Sequence, residues 1–291
     1  MLHDYIEQFS SYCQASDFPA KSIEALTARL GQFHRYYQTL TINSITEVSY
    51  EQLLVFVTDF DTPSVHVKKS RVWALRHFYR FLKLQHLLDE NIAAYVPYPK
   101  IAKKVPQYLT STEFNQILRY FASQTNTATG LRDLIVIMLF GFLGLRMQGV
   151  LRLNVEDVDL EAGLIRIREK GSLERLLPLP GILCKSLASY LGTLDHSEGQ
   201  CPLLRSKRRK RISERTVQDL LRTAFTDLGM DKHLHAHLFR HTAATYLNKV
   251  GGPDVTQHLL GHATRRHTVQ YTHLNPDIYA VYMKRHPYMN L

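Results

Sequence analysis

The sequence predicts a mainly α fold with a small β-sheet, arranged as two domains, and three observations carry that expectation. The chain has 291 residues, more than one average domain and suited to two, each with a core of its own. From residue 2 to about 95, apolar residues recur at three- and four-residue spacing with no alternating strand. Further on, a single stretch around residues 164 to 179 alternates as a β-hairpin does, with helical patterns on either side.

The first domain is read as residues 1–95. Its most informative segment is VHVKKSRVWALRHFYRFLKLQH, residues 65 to 86. On a helix, Val72, Leu75, Phe78, Tyr79 and Leu82 share one arc, while Lys69, Arg76, Arg80 and Lys83 share another. The basic arc fits a solvated face equally with a surface laid against DNA phosphates. Residues 96–108 read as a linker, because Pro97, Pro99 and Pro106 interleave with Lys100, Lys103 and Lys104. Thr110 and Glu113 have the spacing of a capping box, so a helix should start near Ser111 and open a second domain over 109–291. There the apolar run from Leu134 to Leu145 reads as a buried helix, too short to span a bilayer, which takes roughly 20 residues. Leu164, Ile165 and Ile167 alternate with Arg166 and Arg168, and the strand returning over Leu173 to Leu179 closes a hairpin with Lys170 at its tip. The run SKRRKRIS, residues 206 to 213, is a basic loop ahead of a helix capped by Ser213.

Composition narrows the class of partner. The formal net charge of +10 and pI near 9.5 point to a polyanion, although charge alone does not separate nucleic acid from a membrane surface. Three widely spaced cysteines, Cys13, Cys184 and Cys201, form no CxxC pair and suggest neither a disulfide framework nor a cysteine zinc site, which fits a reducing cytoplasm. The N-terminus has no basic region followed by an apolar run, so it is not read as a secretory signal.

The chemistry-bearing residues are Arg146 in FLGLRMQGVLRL, Lys170, His237 and Arg240 in HLFRH, His262 in LGH, and Tyr271 in QYTHL. A tyrosine that attacks a phosphodiester must lose its proton, the nonbridging oxygens need cations, and the leaving alkoxide needs a proton. Arginine suits the oxygens, since its planar guanidinium is always charged and forks onto two of them; lysine or histidine suits the proton donor. Each residue alone has a plainer reading: Arg146 as a charge at a helix end, Lys170 as a turn lysine, His237 as a cap or core histidine.

Taken together, their order and spacing resemble the tyrosine recombinases, the phage integrase and Xer-type site-specific DNA recombinases, over nearly the whole chain. The resemblance implies a SAM-like helical core-binding domain followed by an α+β catalytic domain, closing on duplex DNA like a C. It places the family's first arginine at Arg146, the hairpin lysine at Lys170, the histidine-x-x-arginine box at His237 and Arg240, the later histidine at His262 and the nucleophile at Tyr271. It further implies a 3′-phosphotyrosyl intermediate, no metal and no cofactor, and duplex DNA with a core recombination site as partner. A dimer on inverted half-sites and a tetramer in the synapse follow, with the segment from Ile278 to Met283 packing on a neighbour. Lys69, Arg76, Arg80, Lys83, Lys103, Lys104, Lys207, Arg208 and Arg209 become the expected DNA contacts. Two departures stand out. Gly149 occupies the position of a bracing glutamate, leaving Glu156 or Asp157 as candidates for that service, and the hairpin tip reads Glu169, Lys170, Gly171.

Three rival readings exist. A metal-dependent hydrolase would use the histidines of HLHAHLFRH at 233, 235, 237 and 241, yet leaves Arg146, Lys170 and Tyr271 unexplained. A non-enzymatic DNA-binding regulator would need a decayed catalytic position, and all six are filled. A type IB topoisomerase shares the phosphotyrosyl chemistry but works as a monomer.

Overall fold

The computed structural model describes residues 2–101, 107–168, 174–194 and 201–261. It divides into two compact units, Met1–Lys104 and Val105–Leu291.

The first unit is helical, as the periodicity predicts, with α1 (Leu2–Ala15), α2 (Ala20–Tyr37), α3 (Tyr50–Thr58) and α4 (Val65–Leu84). Helix α3 opens with a reciprocal capping box between Ser49 and Gln52, and α4 opens on Ser64, whose hydroxyl accepts from the Val67 amide. Val72, Leu75, Phe78, Tyr79 and Leu82 are completely buried, the predicted apolar arc of α4. Phe9 of α1 meets Phe78 and Phe81 edge-on or tilted at 5.6 and 5.5 Å, geometries that add to simple area burial. Arg71 was not anticipated in this core. It is 2% exposed, and its Nη1 donates to the carbonyls of Phe56 and Phe60 at 2.6 and 2.7 Å where α3 ends, while Nε donates to Gln32. A cation at a helix C-terminus is favoured by the helix dipole and satisfies carbonyls that have no partner within the helix.

In the second unit the capping box forms as predicted: Thr110 Oγ1 accepts from the Glu113 amide and Glu113 accepts from the Thr110 amide, starting α5 at Ser111 (Ser111–Ala122). Then come α6 (Ala128–Leu143), α7 (Met147–Arg152), α8 (Gly181–Leu191), α9 (Glu214–Asp227) and α10 (Ala236–Leu260). Helix α6 is apolar on nearly every side and packs against α5, α8 and α10, the reason its sequence has no polar stripe. Where α5 crosses α6, a Cβ at Gly141 would lie 2.1 Å from the Phe114 ring, so only glycine admits that approach.

Three antiparallel strands, β1 (Val158–Asp159), β2 (Leu164–Arg168) and β3 (Glu174–Pro178), form a sheet in sequence order, with Ile165 opposite Leu177 and Ile167 opposite Arg175. Ile165 and Ile167 face the core and Arg166 is exposed, as the alternation predicts. The hairpin tip with Lys170 lies outside the described residues. Helix α10 is broken at Gly252, which has φ 75° and ψ −179° and precedes Pro253; the break divides it into a long first half and a short second half that ends at Leu260.

Candidate active site

The second unit brings together the ends of two helices that are far apart in sequence. Helix α6 stops at Gly144 and the short half of α10 stops at Gly261, both glycines being left-handed at φ 58° and 62°. A left-handed residue ends the α-helical ladder, and glycine adopts it without the Cβ penalty. Each glycine then hands the chain to a residue singled out by sequence: Arg146 two positions after Gly144, His262 directly after Gly261.

Arg240, on the first half of α10, spans the two ends. It is 6% exposed; its Nη1 donates to the Gly144 carbonyl at 2.7 Å and its Nη2 to the Leu260 carbonyl at 2.6 Å. Arg146, at the N-cap position of α7, donates from Nη2 to the Gly261 carbonyl at 3.2 Å. Both guanidiniums therefore sit on carbonyls at helix C-termini, where the negative end of the dipole stabilises an arginine charge. The expectation that Glu156 or Asp157 braces Arg146 is corrected here. Arg168, at the end of β2, takes both, with Nη1 3.0 Å from Asp157 and 3.7 Å from Glu156, and its Nε pairs with Glu174 at 3.0 Å. Those carboxylates thus brace the hairpin next to its tip, while a backbone carbonyl holds Arg146.

His237 is exposed in the first turn of α10. One turn on lies His241, which sequence reasoning named only in the rival metal-site reading. Burial lowers its pKa below the usual imidazole value, and His237, His235 and Arg240 push it lower still. Thr242 is buried, accepts from the Leu109 amide at 2.8 Å and donates to the Leu238 carbonyl at 2.8 Å, fastening the start of this unit to α10. HLFRHT carries both residues, but nothing in the string distinguishes them from ordinary helix polars. Among the described residues, no group of three or more histidines, cysteines or acids is placed to hold a metal ion. Of the six selected residues, the structure brings Arg146 and Arg240 together, with His237 earlier on the same helix as Arg240; Lys170, His262 and Tyr271 lie outside the described residues.

Of the expected DNA contacts, Lys69, Arg80 and Lys83 are exposed on α4. Arg76 is placed differently. Its Nη2 donates to the Val96 carbonyl at 2.7 Å and its guanidinium stacks 4.6 Å from the Tyr98 ring centre, so the segment expected to begin the linker is packed onto the first unit as far as Tyr98. Lys207, Arg208 and Arg209 are exposed in a tight turn in which the Ser206 amide donates to the Lys210 carbonyl at 2.7 Å. The last cation of the run, Arg211, turns inward onto the Leu151 and Leu153 carbonyls and the Asn154 side chain, at 2.6 to 2.9 Å. Lys103 and Lys104 lie outside the described residues. Among those described, no helix is long and apolar enough to cross a membrane.

A helical unit followed by a mixed unit, with two arginines gathered at paired helix ends, fits a class of DNA strand-exchange enzyme. The phage integrase family profile matches residues 107–277, and the chain belongs to that family, the tyrosine recombinases, which break and rejoin DNA strands. It is 30% identical over 281 residues to tyrosine recombinase XerD of Bifidobacterium longum (strain NCC 2705), covering 91% of each chain. The fold is similar to that of a lambda integrase dimer bound to a COC′ core site, with a TM-score of 0.72, 16% identity, and coverage of 97% of this chain and 76% of that one. It is similar as well to a lambda integrase tetramer bound to a Holliday junction, with a TM-score of 0.71, 16% identity, and coverage of 94% and 80%.

Proposed function

We propose that the chain is a site-specific DNA recombinase that cuts and rejoins strands through a 3′-phosphotyrosyl intermediate on inverted core half-sites. The observation that carries this reading is the convergence of Arg146 and Arg240 on the carbonyls of Leu260 and Gly261, immediately before His262. The Tyr271 hydroxyl attacks phosphorus as its proton leaves; the phosphorus–oxygen bond to the 5′ side breaks, and that oxygen takes up a proton from Lys170. Arg146 and Arg240 meet the nonbridging oxygens with His262 as a further donor, and His237 accepts or holds the tyrosine proton. Removing one such preorganised donor typically costs on the order of a hundredfold or more in rate. Because the phosphoryl bond is kept in the enzyme, a 5′-hydroxyl from a second strand reverses the step and reseals the backbone without ATP.

In this reading residues 1–95 bind the core site, 96–108 link, and 109–291 carry the chemistry, with Lys69, Arg80, Lys83 and the 207–209 turn on phosphates. Two copies occupy a site and four a synapse, the stoichiometries of the lambda integrase assemblies, and the work is done in the cytoplasm during integration, excision or resolution of a mobile element or replicon. The test is covalent capture from a library of nicked duplexes with randomised cores. The expected result is a protein–DNA adduct that survives denaturation, is made in EDTA and is absent from Tyr271→Phe. Cleavage that needs a divalent metal and leaves no adduct would overturn the reading in favour of a hydrolase. Supercoil relaxation without exchange between two sites would favour a topoisomerase.

A further inference from the structure

The contact between Gly144 and Leu260 has been given no role, and its position is unusual. A Cβ built on Gly144 would lie 2.4 Å from Leu260 Cδ2 and 3.1 Å from the Ala243 Cβ. Leu260 is completely buried, so its side chain has little room to retreat. The same Gly144 accepts from Arg240 through its carbonyl, and the same Leu260 accepts from the other arm of that guanidinium. The two helix ends are thus joined twice: by an apolar contact with no allowance for a methyl group, and by one arginine whose two nitrogens must reach both carbonyls together.

We infer that the Gly144–Leu260 contact is a positioning element for strand cleavage, setting the spacing between the segment that delivers Arg146 and the segment that delivers His262. The inference rests on the recombinase reading for its kinetic consequence, but its geometric content does not depend on it. Gly144 acts through Arg240, Arg146 and the Gly261 carbonyl. A methyl group at 144 pushes Leu260 away, stretches one of the two Arg240 bonds and moves the Gly261 carbonyl from Arg146; at φ 58° it also strains the backbone, a part that a shorter residue 260 does not relieve, so rescue is partial. Displacements of about 1 Å among reacting groups cost on the order of a hundredfold in rate, whereas affinity for DNA, spread over many phosphates, changes little.

The experiment compares Gly144→Ala, Leu260→Ala and the double variant as full-length protein, at a temperature where circular dichroism shows all of them folded. Two readouts are taken. Adduct formation on the duplexes captured by the wild-type protein is expected to fall about a hundredfold in Gly144→Ala with DNA affinity within about threefold, and to recover at least tenfold in the double variant, whose shortened residue 260 makes space for the new methyl. The Arg240 guanidinium protons, followed by NMR, are expected to exchange slowly in the wild type, faster in Gly144→Ala, and slowly again in the double variant. Wild-type cleavage rates in Gly144→Ala, or loss of rate with no rescue, would overturn the inference, as would guanidinium exchange that ignores residue 144. A wild-type protein that forms no adduct refutes the recombinase reading instead, and the NMR comparison still decides the positioning claim.

Discussion

A guanidinium that donates to two carbonyls is fixed in orientation as well as in place, which is why Arg240 is more than a charge near a helix end. The same residue type serves other purposes among the described residues. Arg71 closes the end of α3 from inside a core, Arg76 holds residues 96 to 98, and Arg211 fastens the basic turn. Nothing in the identity or spacing of Arg71 marks it as buried; it sits beside an apolar arc, and the carbonyls that receive it come from another helix. His241 yields a prediction at this scale. Burial, then His237, His235 and Arg240, hold its pKa below the usual value near 6.5, so its ring stays neutral at neutral pH. The folded-state value being the depressed one, the unfolded chain takes up this proton first on acidification. The stability contribution is therefore complete above about pH 6.5 and falls away as pH drops toward the folded value. A proton NMR titration of the imidazole should give a midpoint below that of a reference histidine and an upward shift in His237→Ala; a midpoint at or above the reference contradicts the account.

At the scale of elements, what was legible was whatever is written locally. The α4 arc, the Ser111 and Ser213 starts and the two hairpin strands all follow from spacing and capping chemistry within a few residues, and all are present. The pairing of two helix ends was not legible, because it depends on Gly144 meeting Leu260 and Arg240, 116 and 96 positions away along the chain. The α5 cap carries a second prediction. Glu113 accepts from the Thr110 amide and pairs with Lys232 at 2.7 Å. Burial raises its pKa, but Lys232 and the two Thr110 bonds outweigh that, and the net shift is downward. A depressed carboxylate stabilises the fold above its unfolded value of about 4.3, and that share is lost as pH falls through the folded value. Glu113→Ala should lower stability by about 1 kcal/mol at pH 7, read from urea midpoints, with the difference from wild type shrinking below about pH 4. A difference that persists unchanged at low pH would show that the carboxylate charge is not responsible.

For the whole molecule, the sequence made the order of the candidate catalytic residues visible and left the meeting of Arg146 and Arg240 to the fold. The net charge of +10 likewise gave a partner class without a location. The exposed part of that charge includes Lys207, Arg208, Arg209 and Lys210 in the second unit. Each phosphate neutralised on a duplex contributes about −0.9 to the slope of log affinity against log salt. Replacing all four cations with serine is expected to make that slope shallower by up to roughly 3.6, with the melting temperature unchanged. An unchanged slope would move the phosphate contacts elsewhere.

The inward anchoring of Arg211 separates the turn into a base that belongs to the architecture and a tip that does not, since its bonds to Leu151, Leu153 and Asn154 are made below residues 207 to 210. Evolution can therefore rewrite the tip without disturbing the scaffold, and so can an engineer. The charge of the tip can thus be changed residue by residue while the bonds that hold its base stay in place.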